Sequence, residues 1–586
     1  MNKKVLWLIS VIMVVIFLSS CQIGNIVNKA VKSENIDLKF KSDLILGNIE
    51  IVKENLEDGA NINKVNVALE SEQNPIILAV TNNRDKLAKY LIENGADANY
   101  TDSSGRSLLM FLTRNDNTSF CELLIKHGAK IDKEEKNGYT ALEYLLDHSR
   151  SKTTEKNMDS ILTILLNNGA KIRPITLKAA LKGEANGYVT SYSLVKRILE
   201  GVIKSGNKSE INPILEAAIL GESLKEDELI KANKMKKDEE QRILFYTAAF
   251  GKVETLKLLE NKGISVNSLD KLKNTTLIIA SQYGNIEVVK YLLSKNVNIE
   301  ARNKESESAL FTAVKYNQYD IVKYLIKQGA DIKPFAIFAS TIDILSEASG
   351  NGNVDMIKLI VGSGYPLDEK NTSNAMFSAS KNNKVEVLKY FLDNGVNPDI
   401  KNSDYMPLES ACQFGNLDSV KFLVEHGAKV DGIAADGEPM SVTITYGTNE
   451  ILEYLIKKGA NVNNVEILAK AIGNGDLDKI KILVENGANI EYQTKASKKA
   501  SVIIKATYSR HILEYLIQKG ANINYQNDKG ETALISAVYS KNLSSVKLLK
   551  KNKADLSLKD KQGRTALDLA KMGKDKDIIK LLENKK

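Results

Sequence analysis

Apolar residues recur along this chain at helical spacing, in pairs of short runs separated by glycine or asparagine. The stretch 274–303, NTTLIIASQYGNIEVVKYLLSKNVNIEARN, carries the pattern most plainly. Leu277, Ala280 and Ser281 fall on one face of a first short helix. Gly284-Asn285 breaks that helix and turns the chain. Ile286, Val289, Leu292 and Leu293 then share one face of a second helix. Asn296 stands where a left-handed residue closes a helix. Helices of about ten residues do not persist alone in water, so each apolar face needs a neighbour.

The neighbours are copies of the same unit. A closing signature recurs: a Leu/Ile pair, two polar residues, then Gly-Ala-Asp/Asn-x-Asn. Its glycine, or the residue in its place, falls at Gly59, Gly95, Gly128, Gly169, Gly206, Gly263, Asn296, Gly329, Gly364, Gly395, Gly427, Gly459, Gly487, Gly520 and Lys553. Most steps are close to about 33 residues, the period of two helices plus a β-turn finger. The pattern resembles the ankyrin repeat. The residues that carry the resemblance are GETALISA at 530–537, GRTALDLA at 563–570, GNIEVVKYLL at 284–293 and closings such as Gly520-Ala521-Asn522-Ile523-Asn524. It covers residues 34–586 and implies an all-α fold, a helical repeat solenoid with short β-turn fingers. The family usually carries His as the fourth residue of a Thr-Pro-Leu-His motif. This chain has Glu143, Ile278, Phe311, Glu409, Ile535 and Asp568 there, so the hydrogen bond of that His is expected to be absent or replaced.

Residues 1–20 read as a targeting segment. Lys3 and Lys4 precede an apolar run from Val5 to Leu18 that is too short to span a bilayer comfortably. Leu18-Ser19-Ser20-Cys21 resembles the lipobox of bacterial lipoproteins, which implies that Cys21 becomes the lipidated first residue of the mature chain. More than one acyl chain would make that anchor firm, since a single chain binds membranes only marginally. An uncleaved signal anchor, or a cleaved signal with an incidental cysteine, stays open. Gln22 in place of an aspartate favours the outer over the inner membrane of a bacterial envelope.

Residues 21–36 read as a tether and 37–206 as N-terminal repeats, with insertions at His148–Asn157 and Glu184–Tyr192. From 207 to 240 the pattern dissolves into charged sequence, either a joint or a degenerate but continuous repeat. Residues 241–586 form a longer C-terminal stack, with a shortened step between Gly459 and Gly487.

The chain is far too long for one ordinary core, a limit that a solenoid avoids because each unit touches only its neighbours. Its formal charge of +8 includes Lys3 and Lys4, and acidic and basic residues interleave throughout. That suits a solvated surface rather than the clustered stripe of a nucleic-acid partner, so none is expected. Cys121 and Cys412 lie about nine repeats apart, too far for a disulfide, and read as small core residues. The histidines are His127, His148, His426 and His511, with no metal-ligand spacing among them. No phosphate-loop or nucleophile-elbow motif occurs. The expectation is a non-enzymatic protein with no catalytic residue, metal or cofactor.

One series rises above scaffolding. When first helices are aligned on the glycine, or the residue in its place, that ends them, six carry an aromatic just before it: Phe250, Tyr283, Tyr316, Phe414, Tyr446 and Tyr508. The polar residues Gln282, Lys315, Gln413, Thr445 and Thr507 precede five of them. The ankyrin resemblance implies that this position faces the concave groove, where another protein binds. Aromatic anchors carry much of the energy of an interface. Each ring packing on the next repeat is an equal alternative. For the whole chain the leading expectation is a membrane-anchored interaction scaffold. A spacer without a ligand, or an enzyme subunit with an unrecognised site, are the alternatives.

Overall fold

The computed structural model describes residues 37, 39–65, 73–82, 84–114, 118–146, 155–185, 192–205, 213–222, 237–333, 335–337, 340–401, 405–432, 438–463, 467–491 and 501–583. Residues 1–36, with Cys21, Gly206 and most of both insertions, lie outside them.

The stretch 274–303 folds as its apolar spacing requires. Its helices are Thr276–Gln282 and Ile286–Ser294. Thr275 caps the first, its hydroxyl accepting the Ile278 N–H at 3.1 Å. Leu277, Ala280 and Ser281 are buried. In the second helix the fully buried positions are Val288, Val289 and Leu292, while Ile286 and Leu293 are half-buried. The same first-helix cap recurs at Ser308, Thr532 and Thr565. One hydrophobic core runs through the helix pairs from Phe40 to Leu582. The fold is an all-α helical repeat solenoid, and among the described residues one antiparallel hairpin, Phe335–Ile337 paired to Ser340–Ile342, stands in place of a finger.

Each described closing glycine has positive φ, from 83° at Gly263 to 103° at Gly59, and Asn296 and Lys553 adopt the same region at 55° and 62°. At Gly329 a Cβ would meet nothing within 4 Å, so the constraint there is conformational and not steric. The Gly329 and Ala330 N–H groups return to the Ile326 and Leu325 carbonyls, both at 3.0 Å, and satisfy the orphan end of the helix.

The fingers have their own signature. Asp270 Oδ1 accepts the N–H groups of Leu272 and Asn274 at 2.8 and 2.7 Å. Asp560 does the same for Gln562 and Arg564, both at 2.9 Å. Asn303 and Asn527 repeat it. Neighbouring fingers are joined by Lys304 N–H to the Leu272 carbonyl and Lys561 N–H to the Lys529 carbonyl, both 2.8 Å.

The family histidine is replaced in two ways. Glu143 is fully buried and accepts from Thr140 N–H (2.8 Å), Thr140 Oγ1 (2.6 Å), Arg173 (2.7 Å) and Thr176. Glu409 accepts the Met406 N–H and Asp568 the Thr565 N–H, both at 2.9 Å. Ile278, Phe311 and Ile535 are apolar, and the cap hydroxyl works alone.

Repeats interlock through the residue that opens the second helix. Asn285 donates to the Gly251 carbonyl at 2.9 Å, Asn416 to Ser380 and Lys381 at 2.8 Å, and Asn542 to Thr507 and Tyr508 at 3.1 and 3.2 Å. Within 207–240, helix Pro213–Leu220 packs on helix Lys237–Phe250. Lys196 reaches the Leu220 carbonyl at 3.3 Å, and Arg242 reaches Leu181 at 3.4 Å.

Candidate interaction surface

The ring series divides into two groups. Phe414, Tyr446 and Tyr508 are exposed, at 45%, 61% and 60%. Phe250, Tyr283 and Tyr316 are half-buried. For Tyr283 and the Phe250 ring against it, the contacts include the end of the insertion of the fifth repeat. Tyr192, at its end, sets its ring edge-on to Tyr246 at 4.9 Å and to Tyr283 at 5.8 Å. Phe250 meets Tyr283 edge-on at 5.1 Å, and Lys196 sits 4.6 Å over the Phe250 ring. Tyr283 Oη also accepts the Tyr192 N–H at 3.0 Å. The Tyr283 ring therefore packs between elements of this chain. Its neighbour Gln282 donates to Tyr283 Oη at 3.3 Å, and Lys315 pairs with Glu307 at 2.6 Å. Gln413 is half-buried. Thr507 is buried, its hydroxyl bonded to the Ile504 carbonyl, so it offers no surface contact.

Two further side chains belong with the exposed group. Tyr539 and Met572 end the first helices Ala533–Tyr539 and Ala566–Met572 and are 48% and 66% exposed. Counting from the caps Ser501, Thr532 and Thr565 puts Tyr508, Tyr539 and Met572 in one register. Phe414 sits one residue further from its own cap, Met406. Aligning on glycines hides this. Among the C-terminal repeats, Phe414, Tyr446, Tyr508, Tyr539 and Met572 thus stand exposed at first-helix ends, while the intervening helix Ile467–Asn474 ends without such a side chain. Lys381 stands 5.0 Å over Phe414, and Arg564 donates to Tyr539 Oη at 2.7 Å.

The titratable groups elsewhere serve the fold. Burial pushes the Cys121 and Cys412 thiols up to about 12, and both are free. Lys479 is fully buried, its Nζ donating to the Thr443, Ile444 and Gly447 carbonyls at 2.6, 2.9 and 2.9 Å. Burial, with Lys86 nearby, lowers its ammonium to about 7, against the pull of Asp476. A cavity of about 450 Å³ beside Leu367, Thr372, Val396 and Ile400 contains Asp368 and Asp399. Asp368 is occupied by the Asn371 N–H at 2.7 Å and Asp399 by the Lys429 N–H at 3.0 Å. Among the described residues, no group of three His, Cys, Asp or Glu gathers for a metal, and no helix is long and apolar enough to cross a membrane.

A family model for ankyrin repeats matches residues 44–137, 76–176, 244–335, 345–434 and 500–586, more than half of the chain. The chain belongs to the ankyrin repeat family. Repeats of this family serve as protein–protein interaction scaffolds. Rat ankyrin repeat and SAM domain-containing protein 6 is 33% identical over 104 residues, which are 18% of this chain and 12% of that protein. The mouse protein of the same name is 32% identical over the same length. The human ASB11 ankyrin repeat domain is 25% identical, with 35% of this chain and 95% of that one covered at a TM-score of 0.32. The stretches 177–243 and 435–499 fall outside the family matches. The first holds the dissolved pattern, the second the shortened step.

Proposed function

We propose that this ankyrin repeat chain is a non-enzymatic interaction scaffold of a bacterial cell envelope, anchored through lipid on Cys21 and binding another protein along its groove. The observation that carries the binding is the exposure of Phe414, Tyr446 and Tyr508 at the ends of first helices. Burying one such ring in a partner contributes about 2 kcal/mol or more when it is a hot spot. The anchor rests on Leu18-Ser19-Ser20-Cys21, and Gln22 favours the outer over the inner membrane. The half-buried rings Phe250, Tyr283 and Tyr316, with Gln282 and Lys315, shape the N-terminal end of the groove, and Gln413 rims Phe414.

Fractionation and fatty-acid labelling of the Cys21→Ala chain test the anchor. Loss of label and release from membranes, or an uncleaved precursor, is expected. A mature, labelled, membrane-bound Cys21→Ala chain would refute it. Affinity capture from envelope extracts tests the groove. The Tyr446→Ala, Tyr508→Ala double variant should lose a saturable partner that the Lys290→Ala chain retains, and equal capture by both would refute the site.

A further inference from the structure

The first repeat of the solenoid touches its late repeats. Helix Ile49–Glu57 lies across the corners that open helices Leu477–Glu485 and Arg510–Gln518. Glu54 Oε1 accepts the Arg510 N–H at 2.6 Å, 456 positions along the chain, with Ser509 Oγ 3.5 Å away. Lys86 Nζ lies 3.8 Å from Asp476, and His511 Nε2 lies 3.9 Å from Glu57. Glu54 is 6% exposed, so this is a buried carboxylate satisfied by the far end of the same chain. Its place at the start of a helix suits a negative charge.

Two features of the late repeats receive the first one. At the corners Gly47, Gly284, Gly352 and Gly415, the space beyond the glycine is filled by the cap of the following repeat's second helix. Those caps are Arg84, Gln318, Lys384 and Thr448. Beyond Gly475 the neighbour is instead Asn48, the cap of Ile49–Glu57, and a methyl on Gly475 would collide with it. The first repeat thus stands where a following repeat would.

The repeat that ought to fill that station is short at this corner. From first cap to second cap the chain runs Thr275 to Asn285, Ser308 to Gln318 and Thr532 to Asn542, but only Ser501 to Ser509. The two residues lost are the helix end and the left-handed corner. The first helix tightens into a 3-10 turn at Ala506–Tyr508 to make the step. Ser509 is too short to reach back as Asn285, Asn416 and Asn542 do. Glu54 enters the notch that results.

We propose that the shortened repeat Ser501–Ser509 is a receptor for the chain's own first repeat, and that the solenoid latches into a closed ring through Glu54. The latch adjoins Tyr508, so closure and the C-terminal aromatic row meet at one corner. The specific occupant is helix Ile49–Glu57, held by its carboxylate at Arg510 and by the Lys86–Asp476 and Glu57–His511 pairs.

Zero-length carbodiimide crosslinking of the full chain tests this, with mass spectrometry on an equal mixture of light and ¹⁵N-labelled protein. An amide between Lys86 and Asp476 is expected, within light or within heavy molecules only. Glu54→Ala should lower its yield and speed exchange of the Arg510 amide by about tenfold, the effect of losing one charge-assisted hydrogen bond. Inserting Tyr-Gly between Tyr508 and Ser509 restores the corner length, fills the notch and should abolish the same crosslink. The proposal is overturned by absence of the Lys86–Asp476 amide, or by mixed light–heavy pairs, which would mean docking onto a second copy. It is also overturned if both folded variants keep the wild-type yield.

Discussion

Replacing Glu143 isolates what a buried carboxylate does in place of the family histidine. Its partners are Thr140, Thr176 and Arg173, and both threonines are buried. Truncation to alanine strands the Thr140 N–H and two hydroxyls. Breaking a buried, hydrogen-bonded charge pair costs about 3–5 kcal/mol. Arg173 is 28% exposed and keeps Glu134 at 2.6 Å and the Gly138 carbonyl at 3.1 Å, so its charge is not abandoned. The loss for Glu143→Ala therefore falls at the low end, about 3 kcal/mol. Glu143→Gln keeps the shape and one acceptor and should lose about half of that. Burial acts to raise the Glu143 carboxyl, but bonds from Thr140, Thr176 and Arg173 outweigh it and hold the group below its ordinary 4.5. A depressed folded value means that its stabilisation is complete above 4.5 and fades as pH falls through the folded value. Hydrogen exchange is the assay, because stability in a repeat array is local. Protection should drop over 140–180 and stay unchanged over 530–570. The difference between wild type and Glu143→Gln should shrink in acid. Equal costs for Ala and Gln, a difference independent of pH, or loss of protection across the whole chain would refute this reasoning.

Three other outcomes follow from named contacts. Tyr283→Ala should lower the thermal midpoint, by the equivalent of about 2 kcal/mol for a half-buried ring, while exposed Tyr446→Ala stays within about 0.5 kcal/mol in the same melts. Burial and the neighbouring Glu438 push the Glu409 carboxyl up to about 7, so stability falls as pH rises from 4.5 towards 7. Urea titrations should then find Glu409→Gln more stable than wild type above pH 7, with the gain vanishing in acid. Lys479, lowered to about 7 from 10.5, gives stability that rises as pH climbs between those values. Lys479→Met should flatten that rise in melts across the same range.

The repeats were legible because their rules are local. Helical spacing, cap residues and left-handed closings each involve neighbours in sequence, and even Asn296 and Lys553 could be placed. The finger signature, with Asp270 or Asp560 folding back on its own backbone, is equally local and was missed among commoner polar residues. The site was only half legible. Tyr283 shares a local setting with Phe414, but Tyr192, returning from an insertion, and Phe250 pack against Tyr283 while Phe414 stays exposed. Tyr508 sits beside a corner from which two residues are missing, so alignment on glycines gave it the wrong register. The meeting of Glu54 with Arg510 depends on the curvature summed over the whole stack, which no local pattern carries.

The most direct test of binding through the C-terminal row is photocrosslinking in intact cells, with a photoreactive phenylalanine analogue placed in turn at Tyr446, Tyr508 and Lys290. The rows of exposed rings predict one and the same protein crosslinked from 446 and 508 and nothing from 290. Crosslinks absent from 446 and 508, or equally strong from 290, would contradict a partner in this groove.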